Sequence, residues 1–479
     1  MAKGSRRVAV IGAGPAGAIA TNALLKEQAF GIIRVFERQK IVGGTWVFEP
    51  QADHGIPSLE SLIQGRADQT VPIPANFPCK TPVTEEINSQ KERFSATAAH
   101  QNLHSNLPTE IMCFTKEPIP IVLSEQTLAQ YGPSSPFRHR EVMRNWVESV
   151  FGCADNRRLI ELETSVELAE RVGDEWVLTL RNLIPSEMKN YWWQEKFDAL
   201  VVASGHYYLP YIPDIPGLVE YDRNFPGRIR HSKHYPSADD VKNKKVIVVG
   251  GSVSAFDALH DIRQVAKGPV ISSLRRPSTA FGFAPFSHPE IDNRAQISSI
   301  NAETGVINFA DGSVLKSADM ILFATGYDFS FPFLPSLKSV HKRIPGIFGH
   351  VFKIDDPSLA FIGMVTGGFG IRIFEWQAVA AARVLAGHAK LPSRQEMETW
   401  ESDRLEEREG SPFWTLMPEF ERYFEELRSI AGEPALGTTG RVLPQYEPEW
   451  EESFQSFVQH RIERWQCEAT KAEAEKAQL

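Results

Sequence analysis

Cysteine is scarce in this chain, and its placement excludes more than its number. Cys79, Cys113, Cys153 and Cys467 never come close enough in sequence to form a CxxC pair, so a redox dithiol has no support. Four cysteines in 479 residues make no disulfide scaffold, and a reducing, cytoplasmic compartment is expected. Positive charge is not in excess either: 51 Lys and Arg face 60 Asp and Glu, a formal net charge of −9, which leaves no basic field to draw in nucleic acid. No apolar run approaches the roughly 18 residues that a bilayer span needs, and the chain closes on the charged stretch EATKAEAEKAQL. A soluble protein without a membrane anchor is expected. KGSRR followed by Val8 to Ala20 imitates a signal peptide, but a proline and three glycines suit a strand and turn better than an apolar helix. Hydrolytic and metal motifs are missing too, with no HExxH, no GxSxG elbow and no Cys/His cluster.

What is present is ordinary globular material, 42% apolar and 23% charged, in a chain long enough for two or more domains. RVAVIG (7–12), a helix from Pro15 and IIRVFE (32–37) read as a βαβ unit. A stretch of about 50–138, dense in Pro, Gly, Ser and Asn, is too long for a simple connection and is expected to wrap the surface or line a site. Arg140 to Ala154 has helical spacing, residues 158–183 read as an antiparallel meander turning at Gly173-Asp174, and FDALVVASG (197–205) is another buried strand. Three prolines between Tyr207 and Pro216 mark a domain boundary. A second βαβ unit opens at KKVIVVGGSVSAFDALHDI (244–262), the strand MILFATGY ends at Gly326, SLAFIGMV (358–365) is a last strand, and Phe374 to Gly387 is an Ala-rich helix. The tail beyond 392 is charged, aromatic and helical in character.

The first βαβ unit carries Gly12-Ala13-Gly14-Pro15-Ala16-Gly17, a GxGxxG between strand and helix, with Glu37 twenty residues past Gly17 at the end of the next strand. Here the first glycine allows the tight turn, the second lets backbone approach a pyrophosphate, the third packs helix on strand, and the acid accepts from a ribose. The second unit carries a degenerate GxSxxA, Gly250, Ser252 and Ala255, with Ser254 in the same turn and Ser252 adding bulk where a pyrophosphate would approach. Its next strand, PVISSL, ends in Arg275-Arg276, which suits the 2′-phosphate of NADP. Two dinucleotide sites imply one cofactor held and another exchanged, the layout of flavin enzymes reduced by a nicotinamide.

Between the two units, Phe225, Gly227, His231 and Tyr235 fit FxGxxxHxxxY, and with this segment the sequence resembles the flavin-containing monooxygenases. Gly43-Gly44-Thr45-Trp46 resembles the family's flavin-contacting GGTW, Leu103 to Pro108 its segment around an active-site Asn106, and Ala324-Thr325-Gly326-Tyr327 its ATGY strand end. Gln377 sits where the family has a flavin-side Gln, and Arg38 follows Glu37 at the cofactor edge. The resemblance implies an α/β fold of two Rossmann-like domains. An FAD-binding domain of residues 1–212 and 331–479, the latter with a helical tail, would be interrupted by an NADPH-binding domain of residues 213–330. It implies that NADPH reduces FAD, that oxygen adds to give a flavin C4a-hydroperoxide, and that a sulfur or nitrogen of a small molecule attacks it. Asn106 would hydrogen-bond near the reacting oxygen, and His231 would keep the NADPH domain in register. A Baeyer–Villiger oxygenase acting on a ketone is the rival, although that fingerprint usually carries Trp at the place of Tyr235. A flavin-binding protein without turnover is another. Trp400, Phe413, Trp414 and Phe420 are candidates for a pocket roof or for core, and a homodimer is one assembly open to the chain.

Overall fold

Beta-branched and apolar residues bury Val8 to Ile11 completely or nearly so, and they fold as strand β1 (Arg6–Ile11). The computed structural model describes residues 6–48, 58–84, 97–152, 154–234, 238–337, 343–366, 369–409 and 412–478. Cys153, Tyr235 and residues 50–57 and 85–96 of the long loop lie outside the described residues. Gly12 turns the chain into helix α1 (Pro15–Glu27), with Pro15 in the first turn, where an N–H has no intrahelical partner anyway. Strand β2 (Phe30–Phe36) returns parallel to β1. Helix α2 (Arg140–Val150) buries Met143, Trp146, Val147 and Val150, one stripe at helical spacing. An antiparallel meander follows, β3 (Thr164–Val172), β4 (Glu175–Ile184) and β5 (Lys189–Phe197), with the strand Cys79–Pro82 paired to β5. The turn falls at Gly173, as expected, but the strand β5 was not anticipated: its buried face carries Asn190 beside Trp192, which blurs the apolar alternation. Strand β6 (Ala199–Val202) then pairs parallel with β1 on the side away from β2.

A second sheet is built from β7 (Ile229–His231), β8 (Val246–Val249), β9 (Val270–Ser273), β10 (Ile291–Arg294) and β11 (Met320–Phe323), with helix α3 (Val253–Ile262) between β8 and β9. Its order is β7-β11-β8-β9-β10, all parallel. The inner strands β8 and β11 are apolar and buried on both faces, as a parallel sheet covered on both sides requires. Strand β12 (Leu359–Phe361) then joins β6 in the first sheet, giving the order Ile347–Phe348, Phe352–Lys353, β12, β6, β1, β2, Ile160–Glu161 among the described residues. Helix α4 (Ile373–Ala386) packs on α1 and α5 (Phe420–Ala431) packs on α4. The chain ends in α6 (Pro448–Gln478). The α/β class with two Rossmann-type sheets is the observed one.

The chain divides into two units, Met1–Ala52 with Gln69–His206 and Phe329–Phe454, and Asp53–Asp68 with Tyr207–Asp328 and Gln455–Leu479. Against the expected segments 1–212, 213–330 and 331–479, four stretches change sides: residues 53–68, 207–212 and 455–479 join the second unit, and 329–330 join the first. Leu59 enters the apolar cluster of Ile212, Leu218 and Tyr221, and Glu60 pairs with Arg223 at 2.7 Å. The later turns of α6 pack on α3. Of the aromatics with two readings, Phe413 and Phe420 are buried core of the first unit, while Trp400, against Phe348 and Phe413, and Trp414, beside Phe329, are half-buried. Fully burying one such apolar side chain contributes about 1.5–3 kcal/mol.

Candidate cofactor sites

At the first turn, backbone crowds backbone so closely that only glycine fits. Gly12 has φ +103°, and a Cβ there would lie 2.6 Å from the Ala203 carbonyl oxygen; on Gly17 it would lie 2.0 Å from that of Gly12. Gly44, opening the short 3-10 turn Gly44–Trp46, lies against Gly14, and Gly43 N–H donates to Ala13 O at 3.0 Å. Thr45 is half-buried and Trp46 buried in that turn. Helix α1 begins on Gly14 with no side-chain cap and no acid in its first turn, and Ala16 is buried in that turn. Its N-terminal partial charge is thus open to an anion. Nε1 of Trp46 and Oγ of Ser204 are among the buried polar atoms of this unit that have no hydrogen-bond partner, and a Cβ on Gly12 would come within 3.0 Å of the Ser204 Cα. An uncapped helix start, a cradle that a Cβ would fill and orphaned polar atoms fit a dinucleotide such as FAD. The sequence reading passed over Ser204; the signal was its place at the end of FDALVVASG, beside the first glycine.

Glu37 is buried at 6% exposure, and burial pushes its pKa up against the pull of two backbone donors. Those donors are Ala13 N–H, 2.7 Å from Oε2, and Gln39 N–H, 2.8 Å from Oε1. The carboxylate therefore braces the glycine turn itself, with lone pairs left for a ribose; Arg38 beside it is exposed. Gln377, at the place of the flavin-side Gln of the resemblance, has both amide atoms engaged by protein. It is fully buried in α4, its Oε1 accepting from Gly363 N–H at 2.8 Å and its Nε2 donating to Tyr423 Oη at 2.9 Å. Gly363, at φ +88°, in turn lies against Ala16, so Gln377 reaches the turn through Gly363.

The second turn repeats the pattern with other chemistry. Gly250 has φ +148°, and a Cβ there would lie 2.4 Å from the Ala324 carbonyl oxygen. Gly251, not singled out in the sequence, is needed as well, because a Cβ on it would lie 2.5 Å from the Arg276 carbonyl oxygen. The glycine turn and the arginine pair are thus in direct backbone contact. Ser252 is the N-cap of α3 but its hydroxyl caps nothing; it and Ser254 are exposed, while Ala255 is buried where a larger third residue would not pack. Arg275 and Arg276 are exposed, and neither makes an ion pair among the described residues. Two free guanidinium groups beside an uncapped helix start fit the phosphates of NADPH.

His231 is wholly buried, its Nε2 donating to Gly326 O at 2.9 Å while Nδ1 accepts from Lys233 N–H at 3.1 Å. Gly326 O also accepts from Tyr211 N–H at 2.9 Å, and the Thr325 hydroxyl donates to Tyr211 O. Phe225 packs on Tyr221 beneath Arg228, and Gly227 turns at φ +81°. The fingerprint therefore ties the ends of β7 and β11 and the proline-rich crossing together inside the second unit. In the first unit, Asn106 is exposed on a braced bend: Ser105 N–H donates to Arg138 O at 2.8 Å, and Ser105 Oγ accepts from Arg138 N–H at 3.1 Å.

Comparison with known proteins follows the same lines. A family model described as flavin-binding monooxygenase-like matches residues 290–433, and one described as pyridine nucleotide-disulphide oxidoreductase matches residues 194–346. The flavin-containing monooxygenase FMO GS-OX3 of Arabidopsis thaliana is 33% identical over 82% of this chain and 76% of its own length. The flavin-containing monooxygenase ustF2 of Aspergillus flavus is 27% identical over 95% of this chain and 97% of its own. Among solved structures, the S-allyl-L-cysteine S-oxygenase from Allium sativum shares the fold at a TM-score of 0.72 and 23% identity, with 99% of each chain covered.

Proposed function

Because the chain belongs to the flavin-containing monooxygenase family, an oxidoreductase family whose cofactors are FAD and NADPH, we propose that it places one atom of O2 on a nucleophilic sulfur or nitrogen of a small molecule. Among the described residues no helix is long and apolar enough to cross a membrane. Bound FAD would supply the oxygenating chemistry, with NADPH as the source of two electrons and the second oxygen atom leaving as water. The residues supply binding and orientation. The Gly12 to Gly17 turn, Gly44, Thr45 and Trp46 would hold FAD, with Glu37 accepting from its ribose. Gly250, Ser252, Ser254 and Ala255 would hold the NADPH pyrophosphate, and Arg275 and Arg276 its 2′-phosphate. Asn106 would orient the reacting oxygen by hydrogen bonding, and His231 would fix the Thr325-Gly326 strand end.

The observation that carries this reading is the pair of unlike turns: both helices start uncapped, one backed by a buried acid and the other by two unpaired arginines. The test is a count of NADPH consumed and product formed over a panel of thioethers, thiols and amines. One oxygenated product per NADPH is expected with at least one class. Ester formation from ketones in place of heteroatom oxygenation, or no NADPH oxidation at all, would overturn the proposal.

A further inference from the structure

The later turns of α6 carry no motif, yet they sit on the two pieces of the second unit that form the proposed NADPH site. Trp465 meets Phe256 edge-on at 5.3 Å between ring centres and Phe281 at 5.6 Å, and Phe256 meets Phe281 at 5.5 Å. Phe256 is in the first turn of α3, the helix whose N-terminus would face the pyrophosphate. Phe281 closes the loop that leaves β9 through Arg275-Arg276, a loop pinched where Gly282 N–H donates to Ser278 O at 2.9 Å. Arg461 lies over both the Phe281 ring, at 5.5 Å, and the Trp465 ring, at 5.0 Å, and reaches Asp257 of α3 at 3.4 Å. Glu468 holds Arg263 at the far end of α3 at 2.9 Å, and Lys476 donates to Pro289 O at 2.9 Å. Edge-on aromatic contacts with a cation stacked over them are directional, so this packing sets where the loop stands relative to the helix.

We infer that Trp465 and Arg461 are positioning residues for NADPH: they clamp the arginine loop to the first turn of α3 and thereby set the preference for a 2′-phosphate. This rests on the assignment of Arg275 and Arg276 to that phosphate. Neither residue touches the nucleotide in this scheme. A loosened clamp therefore weakens the arginine contacts selectively, leaving the flavin site untouched and the pyrophosphate contacts of Ser252 and the α3 N-terminus largely in place.

The experiment is calorimetric titration of the full-length flavin-loaded protein with adenosine 2′,5′-bisphosphate and with 5′-AMP, comparing wild type, W465A, W465F, R461M and the double variant R275A/R276A. The expected result is a preference for the bisphosphate that falls about tenfold in W465A and R461M, the scale of one charge-assisted contact, and more in R275A/R276A. W465F, which keeps a ring, should retain most of it, and flavin content should not change. A preference lost in R275A/R276A but intact in W465A and R461M overturns the clamp alone. A preference unchanged in R275A/R276A overturns the arginine assignment and the clamp with it. Should W465A fail to fold, R461M against W465F decides by the same comparison.

Discussion

A single methyl group decides whether the first turn can close. Placed on Gly17, it would stand 2.0 Å from the Gly12 carbonyl oxygen, far inside van der Waals contact and against backbone that cannot swing away. Gly17→Ala should therefore yield protein with little or no bound flavin, read from the ratio of flavin to protein absorbance; full occupancy would rule out this reading of the turn. His350 makes a different residue-scale prediction. It is buried among the rings of Trp400, Phe413 and Tyr423, and burial, with Arg404 and Arg408 adding repulsion, holds its pKa well below 6.5. Below about pH 6.5 the unfolded chain binds a proton that the folded one refuses, so this residue makes stability fall by about 1.4 kcal/mol per pH unit as the solution is acidified. Urea midpoints between pH 7 and 5.5 should show a shallower loss in His350→Gln than in the wild type, and equal slopes would remove the claim. Glu37 and Gln377 mark how far single residues were legible. The spacing found Glu37 and the family resemblance pointed to Gln377, but only the folded chain showed the Glu37 oxygens engaged with backbone N–H groups and the Gln377 amide turned to Gly363 and Tyr423.

Between elements, the first unit is held by charge as well as by apolar packing. Arg441, fully buried, donates through Nε to Glu375 of α4 at 2.8 Å, through Nη2 to Glu117 at 2.7 Å and through Nη1 to Asn22 of α1 at 2.9 Å, while Glu375 also accepts from Thr115 N–H at 2.7 Å. Arg383 of α4 pairs with Glu27 at the end of α1 at 3.2 Å. Removing one partner leaves a carboxylate buried and unmatched, so Arg441→Met should lower stability by about 3–5 kcal/mol in urea unfolding. Adding Glu375→Gln should return part of it, and additive losses in the pair would contradict a shared network. None of this was readable in advance, since Asn22, Glu117, Glu375 and Arg441 meet only after folding. The βαβ elements were readable because each rests on local signals: a β-branched run, a glycine turn and a helical stripe. The meander strand Lys189–Phe197 escaped because its pattern mixes Asn190 with tryptophans.

For the molecule as a whole, coupling of NADPH consumption to oxygenation is the property that needs every part. Asn106 stands exposed on a bend braced by Ser105 and Arg138, and the role proposed for it is placement rather than proton transfer. Asn106→Ala should continue to oxidise NADPH while product per NADPH falls about tenfold or more, with hydrogen peroxide making up the difference, because a lost hydrogen bond to developing charge is worth at least a decade. Unchanged coupling would remove Asn106 from the chemistry. The sequence by itself determined the α/β class, both glycine turns, the acid after one and the arginines after the other, since these depend on residues within about 30 positions of one another. Only the tertiary structure decided that the helix Leu59–Ile63 and the later turns of α6 belong to the second unit, that Gly251 abuts Arg276, and that Ser204 stands by the first turn. Those facts rest on which segments meet once the chain has folded, and no local spacing records that.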